Sequence, residues 1–250
     1  MSRVPAVAVS ATFFASPGQA EYSRAGSHRQ WSYSGDEGPE HWADLDQAYR
    51  LCGEGKAQSP VDLKRSKPRA GLLKFSYVNS PLRIIDTGHS IQVNFDSGST
   101  VLIRGKRYNL LQVHFHSPSE HTVSSRSYPM EAHFVHERGI GEIAVIGVMF
   151  IEGHENDVIE QVWSRIPEEK NREEVYESET INPMSLIPVV HSRYFYIGSL
   201  TTPPCTEGVT WNVLSTPLQM SRGQIEAFRA LYPRNNRPVQ PLNGRRVMNH

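Results

Sequence analysis

The chain has 250 residues, 38% hydrophobic and 21% charged, with 26 Lys plus Arg against 26 Asp plus Glu. That length admits one domain or two, and that composition supplies a sizeable apolar core. The balanced charge, without a long like-charge run, argues against a nucleic-acid or membrane-surface partner; no run of 18 apolar residues is present to insert in a membrane.

At the N-terminus Arg3 precedes a mostly apolar run, 4–15, followed by the small residues Ser16, Gly18 and Ala20. Residues 1–20 read as a signal peptide, interrupted by Pro5 and Ser10, which predicts a periplasmic or secreted protein. Residues 21–30 read as a flexible leader and 31–250 as one domain. Cys52 and Cys205 lie far apart; in an exported chain they would pair, whereas in the cytosol both would stay free thiols.

From Trp31 onward short apolar runs are broken by Gly, Pro, Asn and Asp, the pattern of a mainly β, α+β domain. Strands are predicted at 82–86, 89–95, 100–104, 107–116, 130–136, 142–151, 194–199 and 209–214. Segment 143–150 is apolar at nearly every position, as in a central strand covered on both faces. Two peripheral helices are predicted. One spans 155–166, with Val158, Ile159, Val162, Trp163 and Ile166 on one face. The other spans 222–232, with Ser221 as N-cap and Gln224 as its capping-box partner.

The segment Gln112-Val-His-Phe-His116 carries the strongest chemical signal. On a strand, Gln112, His114 and His116 share a face, and residues two apart are roughly 6.6 Å apart along the backbone. Two such imidazoles can converge on one ion at zinc–nitrogen distances of about 2.0–2.1 Å. If 130–136 is the antiparallel neighbour, reached through loop 117–129, one of its faces presents Glu131, His133 and Val135. A metal-bound histidine usually donates its other N–H to a fixed acceptor. Gln112 stands two residues from His114, and Glu131 two from His133, as that role requires. An isolated H-x-H on a strand is also common by chance and is more often a surface or core feature than a ligand pair. His114, His116 and Glu120 match half of a cupin metal motif as well, but Ser127 stands where that motif wants glycine.

These segments resemble the α-class carbonic anhydrases, secreted bacterial members especially. The matching stretches are Gly38-Pro-Glu-His-Trp42, Gln58-Ser-Pro-Val61, Gly88-His89, 112–116, Ser119-Glu-His-Thr-Val123, 131–135 and Gly198-Ser-Leu-Thr-Thr-Pro-Pro204. The resemblance implies a large twisted, mostly antiparallel sheet with short helices around it. It implies a zinc ion on His114, His116 and His133, with Gln112 and Glu131 behind the ligands. The reaction would be reversible hydration of carbon dioxide by zinc-bound hydroxide, giving bicarbonate and a proton. This family is the reference case for a metal lowering the pKa of its water to about 7, so that figure belongs to the family.

By the same resemblance Thr201 donates a hydrogen bond to Glu120 and orients the hydroxide, and Thr202 helps to place bicarbonate. Val135, Val145, Leu200, Val209 and Trp211 form the apolar wall for carbon dioxide. His89 shuttles the proton, with Tyr33 supporting its water chain; Thr87 and Gln92 stand where many members carry asparagine. A Cys52–Cys205 disulfide is implied, with cis bonds at Ser59-Pro60 and Pro203-Pro204. A homodimer would match bacterial relatives. Relatives that keep the fold only as a binding module typically lose a zinc histidine, and all three are present here.

Overall fold

Alternating apolar side chains give a strand two different faces, and here both faces are used. The computed structural model describes residues 29–64 and 73–249; the predicted signal peptide and leader residues 21–28 lie outside them. In chain order the strands begin with β1 (Asp62–Leu63), β2 (Leu73–Ser76), β3 (Ser80–Asp86), β4 (Ile91–Asn94) and β5 (Thr100–Ile103). Next come β6 (Lys106–His116), β7 (Thr122–Val123), β8 (Arg126–Ser127), β9 (Met130–Arg138) and β10 (Glu142–Glu152). The last five are β11 (Glu173–Ile181), β12 (Arg193–Ser199), β13 (Glu207–Leu214), β14 (Leu218–Met220) and β15 (Met248–Asn249).

Twelve strands form one sheet along the path β11-β3-β4-β6-β9-β10-β13-β12-β15, with β5 on β6, β2 on β5 and β14 on β10. The pairing is mostly antiparallel, but β10 runs parallel to both β13 and β14. β1, β7 and β8 make a small separate sheet.

All eight predicted strands are present. The chief correction is the start of β4: His89 sits in a turn, where Gly88 adopts φ 78° and donates its N–H to Asp86 Oδ1 at 2.8 Å. The longest of the strands that the sequence reading missed is β11, which has only β3 as a neighbour. Glu173, Glu174, Glu177 and Glu179 hide its alternation, as charged residues commonly do on an edge strand.

The buried centre of β10 matches the doubly covered strand predicted there. Its back row, Ala144, Ile146, Val148 and Phe150, joins Phe115, Phe134 and Phe228 in the larger apolar cluster. Two helices cover that side. Asp157–Trp163 is capped by Asn156, and Arg222–Leu231 has the predicted Ser221/Gln224 capping box. The front row, Val145 and Met149, joins Trp211, Val213 and Tyr196 in a second cluster.

Candidate metal centre

A register slip between Leu110 and Gln112 in β6 sets up the site. Before it, Tyr108 and Leu110 face the back core; after it, Val113 and Phe115 do. The extra residue turns Gln112, His114 and His116 together to the front face, which an unbroken alternation from Tyr108 would not do. Opposite them in β9, Val135 pairs with Gln112, His133 with His114 and Glu131 with His116.

One ring nitrogen from each of His114, His116 and His133 lies within 4.8 Å of the others. The opposite nitrogens are held from behind. His114 Nδ1 donates to Gln112 Oε1 at 2.8 Å, and His116 Nδ1 to the Asn235 carbonyl at 2.6 Å. His133 Nε2 stands 3.0 Å from Glu131 Oε1. These contacts leave Nε2, Nε2 and Nδ1 facing the centre. Burial, followed by the neighbouring histidines, holds His114 well below the usual imidazole range; burial also lowers His116. Both rings are therefore neutral donors at pH 7. His116 Nε2 is buried without a hydrogen-bond partner. A buried unpartnered acceptor is costly unless something fills it, and three imidazole nitrogens suit zinc.

Glu131 holds more than His133. Its Oε1 accepts from His121 Nδ1 at 2.8 Å, and its Oε2 from the backbone N–H groups of Glu120 and His121 at 3.0 and 2.9 Å. Burial would raise its pKa, but the two histidines and their hydrogen bonds outweigh it and keep the carboxylate ionised. Behind it, the Tyr196 hydroxyl bridges His121 Nε2 at 2.7 Å and Ser59 Oγ at 2.9 Å. Ser59 Oγ in turn accepts from the Ser199 N–H at 3.0 Å, so the network reaches the strand leading to Thr201.

A cavity of about 40 Å³ opens beside the histidines, against about 10–15 Å³ for one water by the same kind of measure. Gln112, His114, His133, Val135, Val145, Leu200, Thr201, Thr202 and Trp211 line it. Val209 lies in the apolar cluster with Val145 and Trp211. Glu120 is fixed by the Arg237 N–H, which donates to Oε1 at 2.8 Å. Its Oε2 faces the centre, 3.7 Å from His116 Nε2 and 3.8 Å from His133 Nδ1. That oxygen has no hydrogen-bond partner, so the bond expected from Thr201 is not made here; Oε2 is directed at the two imidazoles instead.

His89 is half-buried and stacks on Trp31 at 3.8 Å with the planes 10° apart. Burial, and then Lys170, lower its pKa, against a smaller upward pull from Asp86. Tyr33 lies 6.5 Å from the His89 ring. Burial and then the Glu120 carboxylate push the Tyr33 phenol well up, so it stays protonated. Cys52 and Cys205 form a disulfide, and the bonds before Pro60 and Pro204 are cis, as is the one before Pro118.

The residues that sequence reasoning missed are Asn235, Arg237, Tyr196 and Ser59. Asn235 and Arg237 act partly through backbone atoms, which residue identity does not mark. Tyr196 and Ser59 lie 137 positions apart, and only the folded sheet brings them together.

Residues 37–250 match the family model of the eukaryotic-type carbonic anhydrases. A carbonic anhydrase of Klebsiella pneumoniae is 40% identical over 223 residues, covering 87% of this chain and 90% of that protein. One from Nostoc is 38% identical over 224 residues, covering 87% and 85%. The solved α-carbonic anhydrase of Thermovibrio ammonificans, in complex with the inhibitor sulfanilamide, superposes with a TM-score of 0.83 at 46% identity. That match covers 88% of this chain and 99% of the other.

Proposed function

The chain belongs to the α-carbonic anhydrase family, and we propose that it hydrates carbon dioxide reversibly at a zinc ion held by His114, His116 and His133. The observation behind this reading is the trio of inward ring nitrogens, with the opposite nitrogens of His114 and His116 bonded to Gln112 and the Asn235 carbonyl and that of His133 3.0 Å from Glu131. Zinc bound there supplies Lewis acidity, which makes water a nucleophile near neutral pH, and three uncharged ligands leave its positive charge undiminished.

The remaining work falls to this chain's own residues. Glu120, pinned through Oε1, keeps Oε2 free for a hydroxyl donor, and Thr201 on the cavity wall is the hydroxyl we assign to it. A hydroxyl has one proton; giving it to the carboxylate leaves only lone pairs for the reacting water. Val135, Val145, Leu200 and Trp211 offer an apolar surface to carbon dioxide, with Val209 packed beside them. Thr202, at the same cavity, is assigned to bicarbonate. His89 passes the released proton to buffer, and its lowered pKa makes it readier to give that proton up. Tyr33, whose ring lies 6.5 Å from that of His89, is assigned to support the connecting water. The disulfide and the likeness to bacterial relatives support export to the periplasm or medium, and we extend the catalytic domain over 31–250.

Metal analysis with stopped-flow hydration tests the proposal. We expect one zinc per chain and turnover that is lost with a chelator and restored by zinc. Zinc-loaded protein without a rate above background would overturn it. His89→Ala should slow turnover in weak buffer and be rescued by added imidazole; an unchanged rate would remove the shuttle.

A further inference from the structure

Asn235 lies in the segment after helix Arg222–Leu231, and the residue is 1% exposed. Three of the four hydrogen-bonding positions of its carboxamide are used. Nδ2 donates to the His89 carbonyl at 3.0 Å and to the Phe115 carbonyl at 2.9 Å, while Oδ1 accepts from the Ser117 N–H at 2.8 Å. Two carbonyls on one side and an N–H on the other leave the amide a single orientation. Phe115 stands between the ligands His114 and His116, and the Asn235 backbone carbonyl accepts from His116 Nδ1. One residue thus grips both the metal-ligating end of β6 and the turn that carries His89.

We propose that the Asn235 carboxamide is a positioning group for proton transfer, fixing the His89 turn relative to the metal ligands; this rests on the shuttle role given to His89 above. The turn is gripped on its other flank too. Asp86 Oδ1 accepts from the Gly88 N–H and the Tyr232 hydroxyl, and Ser90 Oγ donates to the Phe115 carbonyl. These contacts hold residues 86, 88 and 90. The Asn235 bond acts on His89 itself, next to the ring stacked on Trp31. Proton relay depends on donor–acceptor geometry, and a misplacement of about 1 Å can cost about 10²-fold. An amide does not titrate, so the clamp stays constant across the range in which an imidazole gains and loses its proton.

The test uses zinc-loaded Asn235→Asp and Asn235→Ala beside His89→Ala. Asn235→Asp keeps the shape but turns an oxygen towards two carbonyls; both variants keep the backbone carbonyl that holds His116. Expected is a fall in weak-buffer kcat of about tenfold or more, with kcat/KM falling by a clearly smaller factor, full zinc content, and recovery of kcat by imidazole. Weak-buffer kcat within a factor of two of the parent overturns the proposal. So does an equal fall in kcat and kcat/KM with zinc loss, which would mark a purely metal-holding role. His89→Ala separates the two readings. If it leaves weak-buffer turnover intact, the shuttle fails and the proposal with it; if it slows turnover while Asn235→Asp does not, the proposal alone fails. In the intact enzyme the two Nδ2 protons should exchange slowly by NMR, and fast exchange overturns the clamp even should both variants fail to fold.

Discussion

The three clustered histidines have different groups behind them: a neutral amide accepts from His114, a backbone carbonyl accepts from His116, and a carboxylate lies 3.0 Å from His133. Two of these groups were legible in the sequence, because on a strand the residue two places away shares the face. The third was not, because a carbonyl carries no residue identity. A fourth histidine, His136, shows what the opposite strand face does to the same side chain. It is fully buried behind the sheet, with Nδ1 on the Phe134 carbonyl and Nε2 on the Tyr77 hydroxyl. Desolvation takes its pKa from 6.5 to about 3, against weaker upward pulls from backbone hydrogen bonds. The unfolded chain therefore binds a proton below pH 6.5 that the folded chain refuses until about pH 3. The contribution is whole above pH 6.5 and is lost as pH falls through that window. At about 1.36 kcal/mol per pH unit, the loss reaches about 5 kcal/mol. Denaturant unfolding from pH 6.5 to 4.5 should show a slope of stability against pH shallower by about 1.4 kcal/mol per unit in His136→Gln. Equal slopes would show that His136 is not the group refusing the proton.

Strands β6, β9 and β10 turn these residues into a site, and the tightest constraint among them is a glycine. Gly147 in β10 lies opposite His133. A Cβ there would come 2.9 Å from Glu131 Oε1 and 3.3 Å from Val213. The hydrogen atom at this position makes room for the carboxylate behind His133. Sequence reasoning marks 143–150 as a central strand but gives no cause for a glycine within it; the cause is a side chain 16 positions away across a strand pair. Gly147→Ala should push Glu131 off His133 and weaken zinc binding by about 10–100-fold, the usual range for a disturbed ligand-orienting group. Chelator competition measures this, and unchanged affinity would show that Glu131 can move at no cost. At the sheet's covering helix, Ser221→Ala removes the N-cap acceptor for Gln224. It should cost about 1 kcal/mol in denaturant unfolding while leaving zinc affinity alone, since this cap touches no residue of the centre.

At the scale of the molecule, the loop that carries Thr201 and Thr202 is tied to a crosslink between distant parts of the chain. The element types and the 107–116 and 130–136 strands were legible because hydrophobic period reports local burial. The parallel joining of β10 to β13 and the seating of segment 235–237 under the site were not, since these contacts span 66 to 185 positions. The disulfide is the covalent form of such a contact. It joins residues 153 apart, and the Cys205 N–H donates to the Thr202 carbonyl at 2.9 Å. Nearby, the buried Arg237 guanidinium donates to the Cys52 and Ser59 carbonyls and to Gln58 Oε1, while its own N–H holds Glu120. Breaking the crosslink frees a long loop in the unfolded chain, which by loop entropy costs up to about 5 kcal/mol. At roughly 2–4 °C per kcal/mol for a chain of this size, that corresponds to a fall in Tm of about 10–20 °C. It also loosens both the Thr202 loop and the Cys52 end of the Arg237 clamp. Cys52→Ser with Cys205→Ser should therefore lose turnover on mild warming well below its own unfolding midpoint. The parent should keep its activity until it unfolds. Scanning calorimetry beside hydration rates at stepped temperatures distinguishes this from a uniform loss of stability, in which activity and fold would fail together.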